Sequence, residues 1–512
     1  MKQLEDLQVL VLGLGDSGLA MARWCAANGA NVRVWDSREP APHAAELAGH
    51  VPTATLLHGA LTDAAFEGVQ LVLKSPGLSP LDARIAAPLQ RAAQAGVAVQ
   101  GELGLFARAL ADLKVERGYA PKVIAITGTN GKTTTTAMAA LLIARTGKRA
   151  AAAGNIGPTM LQTLADALVA AADSLPDVWI LELSSFQLDG VNNFEPDAAV
   201  VLNISEDHLD WHGDMDSYVA AKARVYGQQA VMVVNRDDAA VERLVPAAVP
   251  GKGRFAKPVL RHVVRFGLDA PKHPGDYGLV TENGMAWLVR ALEADETVRR
   301  SRKGADDDIE LHIQRLMPAD ALRVRGRHNA ANALAALALA TAIDCPLAPM
   351  LHGLRDYSGE PHRVQFVAGI HGVDAFDDSK GTNVGATVAA LNGLGDDRAP
   401  AKLVVILGGD GKGQDFMPLA APVQRHARAV ATLGRDAAVI EAALAGTGVT
   451  LQRHVTLDAA TRWAFSRAQA GDAVLLSPAC ASLDMFRNYG HRAEVFVAEV
   501  LALAAEQGEV AT

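Results

Sequence analysis

Ile124-Ala-Ile-Thr-Gly-Thr-Asn-Gly-Lys-Thr-Thr134 is an apolar strand that runs straight into a glycine-bracketed lysine and then into hydroxyl residues. Gly128 and Gly131 let backbone N–H groups face an anion, Lys132 can reach the terminal phosphates of a nucleotide, and the Thr133 hydroxyl is placed to ligate Mg²⁺. Thr129 and Asn130 alone separate the two glycines, a shorter interval than in a standard P-loop. A nucleotide site on a parallel α/β sheet is the expectation.

Two further strand-to-glycine units flank this one. Gln8-Val-Leu-Val-Leu-Gly-Leu-Gly-Asp-Ser-Gly18 carries Gly13, Gly15 and Gly18 in G-x-G-x-x-G spacing, and the strand Val32-Arg-Val-Trp35 ends at Asp36. Leu403-Val-Val-Ile-Leu-Gly-Gly-Asp-Gly-Lys412 again opens an apolar run into glycines, with later strands at 429–433 and 473–477. Such alternation predicts an α/β protein of three domains, each a mainly parallel Rossmann-like or P-loop sheet flanked by helices. The expected division is 1–110, 111–359 with an inserted, hairpin-rich segment at about 250–320, and 360–512. Ala330 to Ala342 reads as a small-residue helix beneath the nucleotide site, and the charged run Glu293–Asp308 as a surface loop.

Composition narrows the classes. The chain has 512 residues, beyond what one core normally organises, and 50% of them are hydrophobic against 21% charged. A net charge of −9 without a dense Lys/Arg block argues against a nucleic-acid partner. Cys25, Cys345 and Cys480 form no CxxC pair, which suggests neither a disulfide framework nor a zinc site. Met1-Lys-Gln-Leu-Glu-Asp6 lacks the layout of a signal peptide and no apolar run is long enough to span a bilayer. A cytoplasmic protein with no membrane partner, acting as a monomer, is expected.

Asp36 lies 21 residues after Gly15, where an NAD ribose acid would sit. A dehydrogenase has no use for the P-loop, however, and a nucleotide-sugar diphosphate suits the same crevice better. Glu182 follows Val178-Trp-Ile-Leu at the C-terminal end of a strand, where α/β sheets place ligands and a P-loop needs an acid for Mg²⁺. Val201-Leu-Asn-Ile-Ser-Glu-Asp-His208 is another apolar strand ending in an acidic cluster, so His208 is a second candidate for metal or substrate.

These residues resemble one family, the Mur ligases, ATP-dependent amide-forming enzymes of peptidoglycan synthesis. Its G-T-N-G-K-[ST] loop, strand-end glutamate and N-x-[ST]-x-D-H cluster are matched at Gly128–Thr133, Glu182 and Asn203–His208, with Gly154-Asn-Ile-Gly157 between them. The likeness continues through Arg325-Gly-Arg-His-Asn329, Asn332, His362-Arg363, Asp377–Asn383, Gly408–Gly413 and Ser477–Asp484. The last motifs look like those of the D-glutamate-adding branch, since the Asn-Pro-Arg of the meso-diaminopimelate branch is absent where Asp378-Ser-Lys380 stands. Three departures stand out: the Glu293–Asp308 insertion, Gly381 where alanine is common, and Tyr489 where phenylalanine is expected.

The resemblance implies substrates UDP-N-acetylmuramoyl-L-alanine, D-glutamate and ATP, with Mg²⁺. It implies that Lys132, Glu182, His208, Lys222 and Arg363 are catalytic, and that Thr133, Glu182, His208 and Lys222 hold metal. ATP would also meet Gly128, Thr129, Asn130, Gly131, Thr134, Asn329, Asn332, Asp378 and Lys380. The UDP substrate would meet Asp16, Ser17, Asp36, Ser37, Arg38, Ser75, Pro76, Gly77, Asn155 and His208. D-Glutamate would meet Lys380, Thr382, Lys412, Ser482, the Leu483 backbone and Tyr489. Lys222 in Ala220-Ala-Lys-Ala-Arg224 would, from the residues alone, be a surface-helix lysine, whereas the resemblance makes it the lysine that becomes a carbamate. A folylpolyglutamate synthase type of ligase shares the P-loop variant but has no need of the N-terminal glycine unit, and an ATP-binding regulator has no need of the acidic cluster.

Overall fold

Strands that are apolar on both faces need cover on both faces, and helices between successive strands supply it. The structure is a computed structural model that describes residues 3–170, 175–248, 260–294, 310–324 and 326–509. Most of the charged run Glu293–Asp308, and Arg325, lie outside the described residues.

The first sheet contains β1 (Gln8–Leu12), β2 (Asn31–Trp35), β3 (Thr55–Leu57), β4 (Leu71–Lys74) and β5 (Ala98–Gln100), all parallel, in the order β3-β2-β1-β4-β5. The direction of winding reverses between β1 and β4, and a crevice opens there at the strands' C-terminal ends. The helix Glu102–Arg117 then leads into the second sheet and passes unbroken through residue 110.

The second sheet adds β6 (Lys122–Thr127), β7 (Ala150–Gly154), β8 (Val178–Glu182), β9 (Ala198–Val201), β10 (Val231–Asn235), β11 (Val263–Phe266), β12 (Tyr277–Glu282), β13 (Met285–Glu293) and β14 (Leu311–Pro318). Their order is β14-β13-β12-β11-β10-β9-β6-β8-β7. Among the described residues only β12, β13 and β14 pair antiparallel in this sheet, forming the hairpin-rich elaboration on one edge. The P-loop strand β6 lies between β8 and β9, which brings Glu182 and Asn203 to its flanks. Beneath it, the helix Arg327–Ala342 packs on the P-loop helix Lys132–Arg145, with Leu334 and Leu337 in one buried cluster with Met138 and Leu142. Alanine along the former lets the two axes approach closely.

The third sheet contains β15 (Gln365–Ile370), β16 (Val373–Asp377), β17 (Leu403–Gly408), β18 (Ala427–Leu433), β19 (Thr450–Arg453) and β20 (Ala473–Leu476), in the order β15-β16-β20-β17-β18-β19. All pairs are parallel except the β15–β16 hairpin. The α/β class with three mainly parallel sheets is the one expected from the strand-to-glycine units. Among the described residues, no helix is long and apolar enough to cross a membrane.

Candidate active site

The P-loop is held from three sides before any ligand is considered. Gly131 begins the helix Lys132–Arg145 at φ +82, and a Cβ there would fall 2.6 Å from Asn332 Oδ1, so only glycine fits. Asn203 clamps the loop reciprocally: its Oδ1 accepts from Asn130 N at 2.8 Å and its Nδ2 donates to Asn130 O at 3.1 Å. Tyr218 OH lies 3.0 Å from Thr129 Oγ1. Lys132 folds back to donate to Gly128 O and Thr129 O at 2.9 and 2.8 Å, and burial pulls its pKa down. A phosphate in the cradle would give that ammonium a better partner than two carbonyls.

Glu182 ends β8 almost fully buried. Asn155 Nδ2 donates to its Oε1 at 2.9 Å, while Oε2 has no hydrogen-bond partner among the described residues. A buried carboxylate oxygen left free is costly unless a cation completes it. His208 sits at the start of a single helical turn, Leu209–His212, with φ +57. Its ring packs edge-on against Phe186 at 4.7 Å, with Asp207 Oδ2 3.5 Å from Nε2. Burial lowers its pKa against the pull of Asp207, and Lys412, Lys132 and Lys222 push the same way as burial.

Lys222 is not the surface lysine that its own neighbourhood in the sequence suggests. It is 2% exposed, its Nζ donates to Gly128 O at 2.9 Å, and the Tyr218 ring lies 4.7 Å away. The helix Met215–Ala223 turns this residue inward between Ala221 and Ala223, small neighbours that let it pack against the loop. Burial holds its pKa well below the usual lysine range, with the Lys132 charge adding to the effect.

The third sheet closes over this loop. Arg363 Nη2 donates to Thr133 Oγ1 at 2.7 Å, and Asn383 Nδ2 donates to Asn130 Oδ1 at 3.1 Å. Asn130, Gly131, Thr134, Asn329, Asn332, Arg363 and Asp378 line a cavity of about 70 Å³, which shares Asn329, Glu360 and Arg363 with an outer cavity of about 940 Å³. The outer one is large enough for a nucleoside. Asp378 accepts from Ser477 Oγ at 2.6 Å, and burial raises its pKa to about 7. Gly381 stands where a Cβ would fall 2.6 Å from Asp378 Oδ2 and 3.0 Å from Ser477 Oγ, so an alanine here would press on that pair.

Lys380, Thr382, Lys412, Ser482, Leu483 and Tyr489 come from the segments after β16, β17 and β20, which are adjacent in the sheet. Ser482 is buried, Lys412 and the Leu483 side chain are exposed, and Lys380 Nζ lies 5.5 Å from the Tyr489 ring. Burial lowers the Lys380 pKa, with Arg363 and Lys132 acting alongside it and Glu182 against it. The charges of Lys132, Lys222 and Lys412 thus act on His208, and Glu182 acts on Lys132 and Lys380. Among the described residues no three His, Cys, Asp or Glu side chains gather as a ready metal nest, so the run Glu206-Asp-His208 does not form one by itself. The site is built for anions.

Asp16, Ser17, Asp36, Ser37, Arg38, Ser75, Pro76 and Gly77 all line a cavity of about 450 Å³ at the crevice between β1 and β4. Asn155 and His208 stand outside that lining, beside Glu182 and Phe186. Burial alone would raise the Asp36 pKa, but Arg38 and the N–H groups of Leu14 and Arg38 hold it down at about 2. Its oxygens accept from Leu14 N at 2.6 Å, Arg38 N at 2.8 Å, Arg38 Nε at 2.9 Å and Arg38 Nη2 at 2.8 Å. With both oxygens committed, Asp36 fixes Arg38 rather than offering itself to a ribose. Arg84, which donates to Ser37 Oγ at 2.9 Å, joins the lining unforeseen.

Three family models cover most of this chain: Mur ligase MurD-like, N-terminal domain over 7–101, Mur ligase middle domain over 126–340, and Mur ligase, glutamate ligase domain over 362–480. The chain belongs to the Mur ligase family. Among the relatives of this Mur ligase, a UDP-N-acetylmuramoylalanine--D-glutamate ligase from Albidiferax ferrireducens is 58% identical over 99% of this chain and 98% of its own. The protein of the same name from Burkholderia pseudomallei is 57% identical over 98% of each. Two solved structures share the fold at low identity. UDP-N-acetylmuramate-alanine ligase MurC from Thermotoga maritima has a TM-score of 0.56 at 20% identity, covering 97% of this chain and 99% of its own. MurF ligase from Thermotoga maritima, in complex with ADP, has a TM-score of 0.55 at 16% identity, covering 98% and 96%.

Proposed function

We propose that this Mur ligase joins D-glutamate to UDP-N-acetylmuramoyl-L-alanine with ATP and Mg²⁺, as a monomeric cytoplasmic enzyme of peptidoglycan synthesis. The observation that carries this reading is the 58% and 57% identity, over nearly the whole chain, to ligases named for that reaction. The partition is 1–110 for the UDP substrate, 111–359 for ATP and 360–512 for the amino acid.

A carboxylate is a poor electrophile, so the L-alanyl carboxylate oxygen first attacks the γ-phosphorus of ATP, forming an acyl phosphate and releasing ADP. The D-glutamate amine then attacks the acyl carbon, phosphate leaves, and the amine loses its proton. Lys132 and Arg363 offset charge on the transferring phosphoryl group, with the loop residues Gly128 to Thr134 as its cradle. Asn329, Asn332, Asp378 and Lys380 hold the remainder of the nucleotide. The orphaned Glu182 Oε2 suits a divalent cation, and Glu182, Thr133, His208 and a carbamylated Lys222 would hold Mg²⁺. When bound, Mg²⁺ supplies neutralisation of phosphate charge. A carbamate forms when a neutral amine adds to CO₂ and sheds a proton, and burial, which holds the Lys222 pKa well below the usual lysine range, favours that neutral form.

The N-terminal cavity receives the UDP end, with Asp16, Ser17, Ser37, Arg38 and the Ser75–Gly77 turn as its contacts, while Asn155 and His208 face the reacting end. Lys380, Lys412, Thr382, Ser482 and the Leu483 N–H supply donors for the carboxylates of D-glutamate, and Tyr489 borders them. Phosphate release measured against a panel of UDP-muramoyl acceptors and amino acids tests the reading. Turnover should require UDP-N-acetylmuramoyl-L-alanine and D-glutamate together. Equal turnover with meso-diaminopimelate, lysine or L-alanine would overturn it.

A further inference from the structure

His208 holds a left-handed backbone conformation that most residues avoid, so its surroundings must keep it there. Part of that support comes from another domain. The Phe186 ring touches His208 edge-on at 4.7 Å and stacks on Trp211, also at 4.7 Å and 26° between planes. Trp211 is buried, and what borders it on the N-terminal side is Lys74, whose Nζ lies 5.1 Å from the indole centroid. Ser79 Oγ donates to Trp211 O at 2.8 Å across 132 residues of sequence. Lys74 also donates to Leu78 O at 2.7 Å, closing the turn Ser75-Pro76-Gly77 that lines the UDP cavity.

Lys74 thus closes the substrate turn in one domain, and Lys74 and Ser79, just beyond that turn, grip in the next domain the helical turn that starts at His208. We propose that Lys74 and Ser79 are positioning residues, which through Trp211 and Phe186 set the orientation of His208 and make it depend on occupancy of the N-terminal cavity. The proposal rests on the ligase reading above for the role of His208. A cation over an indole face and a half-buried hydroxyl-to-carbonyl bond are directional contacts, so a shift in the turn moves Trp211 with it.

Two measurements on the full chain decide it. In phosphate release, Lys74→Met and Ser79→Ala should each lower kcat about tenfold with KM for ATP unchanged, whereas Lys74→Arg, which keeps a cation over the indole, stays within about threefold of the parent. Unchanged kcat in both variants, an equal loss in Lys74→Arg, or an effect confined to KM for the UDP substrate would overturn the proposal. Independently of turnover, UDP alone should change the tryptophan emission of the parent, and this change should be smaller in Trp211→Phe and in Lys74→Met, the remainder coming from Trp35, which lines the same cavity. An emission change undiminished in Trp211→Phe, or none in the parent, defeats the coupling. A parent that responds to UDP but releases no phosphate with D-glutamate would instead defeat the ligase reading alone.

Discussion

Arg363 donates to the Thr133 hydroxyl at 2.7 Å, across 230 residues of sequence, and so ties the third domain to the P-loop. On the proposed reading both groups serve one phosphate site, Arg363 as a cation and Thr133 as a hydroxyl ligand. Here they satisfy each other; a triphosphate would draw the guanidinium onto its own oxygens. Arg363→Ala should lower kcat by about 100-fold or more, the loss expected for one preorganised donor in a transition state. Arg363→Lys should recover only part, because an ammonium cannot reproduce the planar fork. Steady-state kinetics in ATP would check it, and an alanine variant within tenfold of the parent would contradict this role.

Gly381 sets a steric test that does not depend on substrates. A methyl group there would fall 2.6 Å from Asp378 Oδ2 and 3.0 Å from Ser477 Oγ, groups that already bond each other at 2.6 Å. Gly381→Ala should cost about 1–3 kcal/mol through overpacking, read from urea unfolding of the third domain. An unchanged midpoint would mean that the Asp378 loop yields freely.

Asp378 gives that same region a pH dependence. Burial raises its pKa to about 7, above the unfolded value, so the folded state binds the proton more tightly than the unfolded chain. The stabilisation is fully present below the unfolded pKa and is lost as pH rises through about 7. Asp378→Asn should flatten stability between acid and neutral pH and raise it, relative to the parent, above neutrality. Thermal melts across that range would show it, and parallel profiles would refute it.

Lys222 is a case where stability and chemistry should pull apart. Its folded pKa lies well below the unfolded value, so below the ordinary lysine range the unfolded chain takes up a proton that the folded chain refuses. Stability is lost as pH falls on this account. Lys222→Met removes that cost and strands no acceptor, because Gly128 O also accepts from Lys132. In CO₂-free buffer at neutral pH the variant should therefore melt higher than the parent, while turnover falls steeply. Lys222→Ala, with room for a small anion, should regain part of its activity in acetate. A methionine variant that melts lower, or an alanine variant of full activity, would remove the buried amine from the mechanism.

What the sequence disclosed follows the range of the interactions. Strand-to-loop units such as Ile124–Thr134 and Val178–Glu182 are local, with apolar run, turn residue and functional group consecutive, so their place at sheet ends was legible. The resemblance supplied the N-terminal cavity, where all the expected residues from Asp16 through Gly77 meet around one crevice. The inward turn of Lys222 depends on Thr127, Gly128 and Tyr218, the first two 95 and 94 residues away, and nothing in Ala220–Arg224 except its run of alanines hinted at it. The grip of Asn383 on Asn130 joins positions 253 apart, and Arg84 reaches Ser37 from a different strand connection. Such contacts are set by how sheets dock, which no local pattern encodes.

The same docking decides which lysine should read the amino-acid substrate. Lys412 stands exposed on the glycine turn after β17, with φ +53, and its charge acts on His208 from across the domain boundary. A lysine held in a left-handed conformation without burial adds little to the core, so its removal should leave the fold intact. D-Glutamate carries two carboxylates, and losing one cationic partner at a partly solvated site should raise its KM about 10-fold or more, with KM for ATP unchanged. Lys412→Arg should retain more D-glutamate affinity than Lys412→Ala, while thermal stability stays level in both. A Lys412→Ala enzyme with unchanged KM for D-glutamate would leave its recognition to Lys380, Thr382 and Ser482 alone, and a matching rise in KM for ATP would place Lys412 at the nucleotide instead.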